Sequence, residues 1–267
     1  MASTTRIQRR PLLVRLTPQL VLLLVVAAGA SAWTVVRADG MWEMPGTGGL
    51  GFASFAGMWT LMMAAMMLPS VSPFASLYAR TVTEQRTRRL TLFAVGYLVV
   101  WVAAAPPVYA LARLAGEYAG GDGGTALAVV IFAACGVYQL TPLKRRCLAH
   151  CRTPLGHMLH YASLRGPLRD LRAGLDHGWY CLACCWALMA LIVAFGVMNV
   201  PAMVALASLV AIEKLWPRGE LFSRAIGAGA IVAAAAVIWL PGLAPGLTGS
   251  ADTMDSAASQ DSMDMER

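Results

Sequence analysis

All six cysteines of this chain lie between Cys135 and Cys185, and five of them crowd the last forty residues of that stretch. Cys147 and Cys151 stand four apart, which puts them on one face if the segment is helical. Cys181, Cys184 and Cys185 form a Cys-x-x-Cys-Cys group in which Cys181 shares a face with both of the others. His150, His157, His160 and His177 are interspersed. Thiolate with imidazole suits Zn(II), and thiolate with thioether suits Cu(I). The spacing is not that of a zinc finger, so it argues for a soft metal and leaves copper and zinc open. Clustered thiols on a reducing side are more often metal-binding or redox-active than structural. Cys135, alone in a long apolar run, reads instead as a small buried hydrophobe. Only His150 and His177 adjoin the cysteines, and these two are kept as candidate ligands; a loop histidine is ordinarily just solvated.

Thioethers supply a second set of soft donors. Met58, Met62, Met63, Met66 and Met67 fall within ten residues. At about 100° per residue, Met58, Met62 and Met66 share a face, while Met63 and Met67 widen the occupied arc to about half the circumference. That is broader than a single ligand stripe. Methionine also fills irregular gaps between helices, so packing and a Cu(I) relay are both open readings. Met41 and Met44 precede the set, and Met254, Met263 and Met265 stand among carboxylates in the tail. Methionine escapes the disulfide formation that consumes thiols on an oxidising side. The order of donors, from outer methionines through a methionine helix to inner thiols, suggests inward movement of metal. The Ser, Asp and Ala content of the tail equally fits a disordered acidic extension.

Three polar residues stand in or beside apolar runs: Lys144, Asn199 and Glu213. Charges at membrane depth are costly and pair with one another, so Glu213 is expected to meet Lys144. Snorkelling to the interface accounts for Lys144 and Lys214 without any function. Asp176 beside His177 could orient its imidazole.

The elements that must position these groups are apolar. The chain has 267 residues, 58% hydrophobic and 13% charged, against about 25% charged in a soluble domain. A bilayer core of about 30 Å takes roughly 20 apolar helical residues per span. Such runs occur at 19–36, 50–69, 90–114, 125–140, 179–198, 201–215 and 222–241. The first follows Arg6, Arg9, Arg10 and Arg15, but it exceeds a signal core and six more runs follow, so it reads as a retained helix. With the N terminus inside and the spans alternating, the inner segments collect those four arginines, then Arg80, Arg86, Arg88 and Arg89. The next collects Lys144, Arg145, Arg146, Arg152, Arg165, Arg169 and Arg172, and the last Lys214, Arg218 and Arg224. Only Arg37, Arg113 and Arg267 of the 21 basic residues fall outside. The net charge of +7 is therefore a topology signal, and nucleic-acid binding is not needed to explain it.

The expected fold class is an all-α, polytopic transmembrane helical bundle of about seven spans, N terminus in and C terminus out, in a bacterial inner (cytoplasmic) membrane. The break at Asn199-Val200-Pro201 leaves 179–215 as two full spans or a re-entrant hairpin, which would reduce the count to five or six. The organisation is a basic cytoplasmic segment 1–18, a transmembrane domain 19–246 with a cytoplasmic Cys/His loop 142–178, and an acidic periplasmic tail 247–267. No internal repeat is evident.

Three stretches resemble an uncharacterised bacterial family described as predicted metal-binding integral membrane proteins. They are Met58-Trp59-Thr60-Leu61-Met62-Met63-Ala64-Ala65-Met66-Met67-Leu68-Pro69, Tyr138 to Lys144 with Cys147 to Pro154, and Gly174 to Lys214. The resemblance covers about 50–216. It implies roles for Met62, Met63, Met66, Met67, Cys147, Cys151, Cys181, Cys184, Cys185, Asn199 and Glu213, and it names no metal.

The expected function is binding, and translocation or delivery, of a soft transition metal, with copper ahead of zinc and the inner thiols as the receiving site. Periplasmic or cytoplasmic metal-handling proteins are the expected partners besides the bilayer; oligomeric state is open. No P-loop is present to drive a pump. Two alternatives stand beside this reading: a membrane thiol-disulfide oxidoreductase using Cys181 and Cys184, and a non-transporting assembly partner.

Overall fold

The computed structural model describes residues 46–47, 49–81, 85–152, 161 and 163–248. The basic first segment, the apolar run 19–36, Met41, Met44, His157, His160 and the acidic tail lie outside the described residues. Among those described the chain is helical, with no strand. In order come α1 (Phe52–Thr81), α2 (Arg86–Ala103), α3 (Ala105–Glu117), α4 (Gly121–Leu140), α5 (Pro142–Arg152), α6 (Arg169–Phe195), α7 (Val200–Leu215) and α8 (Gly219–Val237). A 3₁₀ turn (Pro241–Leu243) and a single-turn helix, α9 (Pro245–Thr248), follow.

The apolar run expected to end at Pro69 continues as helix beyond it. Pro69 and Pro73 both lie inside α1. A proline at position 73 leaves the carbonyl of Pro69 without its helical donor, and the Ser72 hydroxyl supplies one at 2.7 Å. The Pro106-Pro107 pair does interrupt a helix: α2 ends at Ala103 and α3 starts at Ala105. The Trp101 carbonyl at that interruption accepts the Trp59 indole N–H at 2.9 Å, tying α1 to the bend.

The central pair is α2 with α6. A Cβ at Gly96 would collide with the backbone of Leu171, and one at Gly174 with the backbone of Phe93. Small residues at a crossing let helix backbones approach where no hydrophobic force separates protein from lipid. Gly136 of α4 and Gly227 of α8 repeat the device. Around the α2–α6 pair the buried core gathers α1 residues Trp59, Met63, Met67 and Phe74 and the α7 residues Met203, Leu206 and Val210.

The helices share two ends. At one, Asp170 of α6 accepts from Tyr78 of α1 and from Arg89 Nε of α2 at 2.9 Å, and Gly219 of α8 abuts the Glu213 carbonyl of α7. At the other, Gly120 donates to the Leu247 carbonyl at 2.8 Å, and Gly246 lies against Gly196. The start of α4, the α6–α7 turn and the segment after α8 therefore meet. Gly196 makes that turn with φ of +100°, and Asn199 caps it on both sides, accepting from Ala202 N–H at 3.0 Å and donating to the Phe195 carbonyl at 3.1 Å.

Among the described residues, five helical segments are long and apolar enough to cross a membrane: Phe52–Ser72, Arg86–Glu117, Gly121–Leu140, Arg169–Phe195 and Gly219–Val237. The seventh expected run, 201–215, is helical but α7 has only 16 residues, or ~24 Å of rise. The expected polar loop 142–178 needs a larger correction. Its first eleven residues are α5 and its last ten belong to α6, so the chain there is helical at both ends. The cause is that Arg and Lys are good helix formers in spite of their polarity, and a charge-rich stretch was read as a loop.

Candidate functional site

Helix α6 carries the thiols. Cys181, Cys184 and Cys185 are all buried, and α6 presents them to three neighbours at once. On one side, Cys181 Sγ lies 3.0 Å from the Tyr97 hydroxyl of α2 and 3.0 Å from Lys214 Nζ of α7. Lys214 also donates to Ser70 Oγ of α1 at 3.3 Å. Ser70 uses its own proton on the Met67 carbonyl at 2.9 Å, so it faces the ammonium as an acceptor. Cys185 donates its thiol proton to the Cys181 carbonyl at 2.9 Å.

Cys184 and Cys185 are consecutive, so their side chains diverge by about 100°. Cys184 packs instead with Cys147, Leu148 and Cys151 of α5. Burial pushes the Cys147 thiol up from its ordinary range, Cys184 adds to the effect and Lys144 opposes it. The adjacent Cys184 thiol, followed by burial, holds the Cys151 thiol well above its ordinary range. The two thiol groups expected from the spacing are thus brought together across α5 and α6, and they divide into a Cys147, Cys151, Cys184 set and a Cys181, Cys185 pair. Among the described residues no three His, Cys, Asp or Glu side chains converge as a metal-holding group.

The expected Lys144–Glu213 pair is present, with Nζ 2.7 Å from Oε2 and neither side chain exposed. Lys144 also donates to the Cys184 carbonyl at 2.6 Å. Gln139 of α4 donates to the other Glu213 oxygen at 2.8 Å, and Ser223 of α8 donates to Gln139 Oε1 at 3.4 Å. Five helices meet on this one buried chain of polar groups. Lys144 does not reach outward as snorkelling would have it, its side chain being fully buried on Glu213, and the adjacent Lys214, part-buried, turns to Cys181 and Ser70.

Met62, Met63, Met66 and Met67 are buried and Met58 is half-buried. They lie in the same core as Cys181 and Cys185, and Met66 sits one turn before Ser70 on the face of α1 that meets Lys214. His150 and His177 are helical and not loop residues. His150, in α5, stacks on Tyr180 with ring centroids 3.4 Å apart and has Nε2 4.0 Å from Asp176 Oδ2. Asp176 also accepts from the Tyr161 hydroxyl at 2.9 Å. His177, in α6, is buried and stacks on Phe74 at 4.4 Å, one turn before Cys181. Asn199 is the cap described above, far along α6 from the thiols.

Tyr97, Ser70 and Gln139 are the polar neighbours that sequence reasoning missed. Each stands singly in an apolar helix, and the available signal was that a polar atom in such a run must find a partner. A cavity of about 820 Å³ opens between α2, α3, α4 and α6, lined by Trp59, Trp101, Trp179 and Trp186. Its lining contains no thiol or imidazole, and Met189 is its one soft donor.

A family model described as a copper chaperone matches residues 56–237, which takes in α1 to α8 almost entirely and every thiol discussed. No curated protein and no solved structure matches the chain.

Proposed function

The chain belongs to a copper chaperone family, and from that premise we propose that it is a bacterial inner-membrane protein that receives Cu(I) from thioethers and holds it on the thiols of α6. The observation that carries this reading is the Cys181 sulfur, which lies 3.0 Å from the Tyr97 hydroxyl and accepts from the Lys214 ammonium at 3.0 Å. An ammonium on a buried sulfur favours the thiolate, and the thiolate is the metal ligand. The methionine helix α1 abuts the same place through Ser70, so thioether and thiolate donors adjoin, the combination that suits Cu(I) over harder ions. The metal is cargo: it enters through Met62, Met63, Met66 and Met67 and is passed from Cys181 and Cys185 toward Cys184, Cys151 and Cys147, with His150 and His177 beside the route.

The thiol end carries the basic residues Arg86, Arg88, Arg145, Arg146, Arg152 and Arg218, so we assign it to the cytoplasm. The α6–α7 turn meets the segment after α8, which in turn meets the start of α4, at the far end of spanning helices, and this favours α6 and α7 as two crossings. With 19–36 as a further span the count is seven. Delivery to periplasmic or cytoplasmic metal-handling partners follows from a chain that carries metal without a pump motif.

Anaerobically purified protein is expected to contain copper at near one equivalent, lost in Cys181→Ser and reduced in Cys184→Ser. Absence of copper together with thiols that oxidise in pairs would replace this reading with the thiol-disulfide oxidoreductase.

A further inference from the structure

Helix α1 is not the only helix that brings a thioether to the approach to Cys181. Helices α1 and α7 pack on each other. They run the same way, α1 toward the end where Tyr78 meets Asp170 and α7 away from the turn that Asn199 caps. The contact of Lys214 Nζ with Ser70 Oγ at 3.3 Å sets their register at the thiol end. On α1, Met66 lies one turn before Ser70 and Met63 two turns before it, so both return to the Ser70 face. On α7, Met203 stands eleven residues before Lys214. That is about three turns, so Met203 returns to the Lys214 face, the one that meets α1 and Cys181. Along the helix axes, Met66, Met63 and Met203 then stand about 6, 10 and 16 Å beyond the Ser70–Lys214 contact. All three are buried in one core. Two and three turns beyond Cys181 on its own face, α6 brings Leu188 and Ile192, both fully buried. Apart from Met203, α7 offers no sulfur. A methionine used only to fill a gap suits any buried face, whereas this one occupies the face that leads to the thiol.

We propose that Met203 is a further Cu(I) ligand, which joins Met63 in the outermost thioether site of this seam and passes the ion by way of Met66 to Cys181. The inference rests on the copper reading above and adds a residue of α7 to a route drawn until now on α1 alone. Thioether sulfur is a soft donor suited to Cu(I), and donors about one turn apart let the ion gain its next sulfur bond as it gives up the last. When the ion enters, its bonds to the donor complex break and those to the Met63 and Met203 sulfurs form. Thioethers carry no proton, so none is released, and no electron is transferred. The ion keeps its single positive charge until it reaches the thiols. Neutral donors hold it less firmly than a thiolate does, which makes the pair a step in loading and leaves final storage to Cys181 and Cys185.

The test is stopped-flow loading of the full-length protein in detergent under argon, over a range of concentrations of a Cu(I) chelate donor. A site that binds the ion before transferring it makes the rate saturate, and the half-saturating concentration reports the affinity of that site. Met203→Leu is expected to raise this concentration tenfold or more, as is Met63→Leu, with the final copper content unchanged. Met189→Leu, on the cavity side of α6, is expected to leave it within twofold of wild type. Should Met203→Leu not be recovered folded, Met203→Ile takes its place. An unchanged half-saturating concentration in the folded Met203 variant overturns the inference, and the copper reading stands as long as Cys181→Ser still loses its copper. Wild-type protein that takes up no Cu(I) overturns the copper reading itself.

Discussion

Lys144 Nζ lies 2.7 Å from Glu213 Oε2, and neither side chain is reached by solvent. The pair joins α5 to α7, and the Cys184 carbonyl and the Gln139 amide extend it to α6 and α4. Removing one partner of such a pair leaves the other charged and buried, which costs about 3–5 kcal/mol. Lys144→Met is therefore expected to destabilise the protein by that amount. The double variant Lys144→Met/Glu213→Leu is expected to recover most of the loss, because well-packed apolar replacements of a buried pair are often neutral. Thermal unfolding of the single and double variants in detergent measures the coupling; equal losses in both would show that packing, and not the charge pair, matters there.

Leucine in place of Met63, Met66 and Met67 keeps volume and removes the thioether. Volume-conserving swaps of this kind cost less than about 1.5 kcal/mol each, so folding is expected to persist. If the methionine helix feeds the thiols, Cu(I) loading of the triple variant slows while its final content is unchanged. Stopped-flow loading with a Cu(I) chelate donor separates the two; identical rates would reduce α1 to packing.

The thiols of Cys147 and Cys151 are both raised, Cys147 by burial first and Cys151 by the neighbouring Cys184 first. At pH 7 both are protonated, and only the thiolate is alkylated. Iodoacetamide labelling mapped by mass spectrometry is expected to be slow at pH 7 and to climb about tenfold per unit with no plateau by pH 9. A plateau near neutral pH would show that one of the two is already ionised.

The contact of Gly246 with Gly196 puts the α6–α7 turn at the far end of the bundle. In intact cells a membrane-impermeant maleimide is expected to label Asn199→Cys and Asp122→Cys, and to label Arg165→Cys only after permeabilisation. Protection of Asn199→Cys alongside a labelled Asp122→Cys would mean that α6 and α7 form a re-entrant hairpin.

Composition and periodicity by themselves determined that the chain is an all-helical protein with membrane-length apolar runs, because such runs follow directly from the scarcity of charge. The resemblance and the cysteine spacing also pointed to metal, and the copper chaperone family match over 56–237 agrees. Helix ends were less legible. Pro69 looked like a terminus because a proline ordinarily breaks a helix, although the Ser72 hydroxyl, three residues on in the same helix, supplies its carbonyl with a donor; the charged residues of α5 looked like a loop because polarity was mistaken for irregularity.

The tertiary structure alone decided which thiol faces which partner. A helix sequence fixes the angle between Cys184 and Cys185 at about 100°, but not the helices that occupy the two sides. Those depend on the close approaches at Gly96 and Gly174, which bring Tyr97 to Cys181, and on the end of α7, where two consecutive residues of opposite charge turn apart. Glu213 goes to Lys144 and Lys214 goes to Cys181. The sequence pointed Glu213 to Lys144 and left Lys214 to the interface; packing turned Lys214 to Cys181 instead, because a buried charge takes the partner that the fold, and not the chain, supplies.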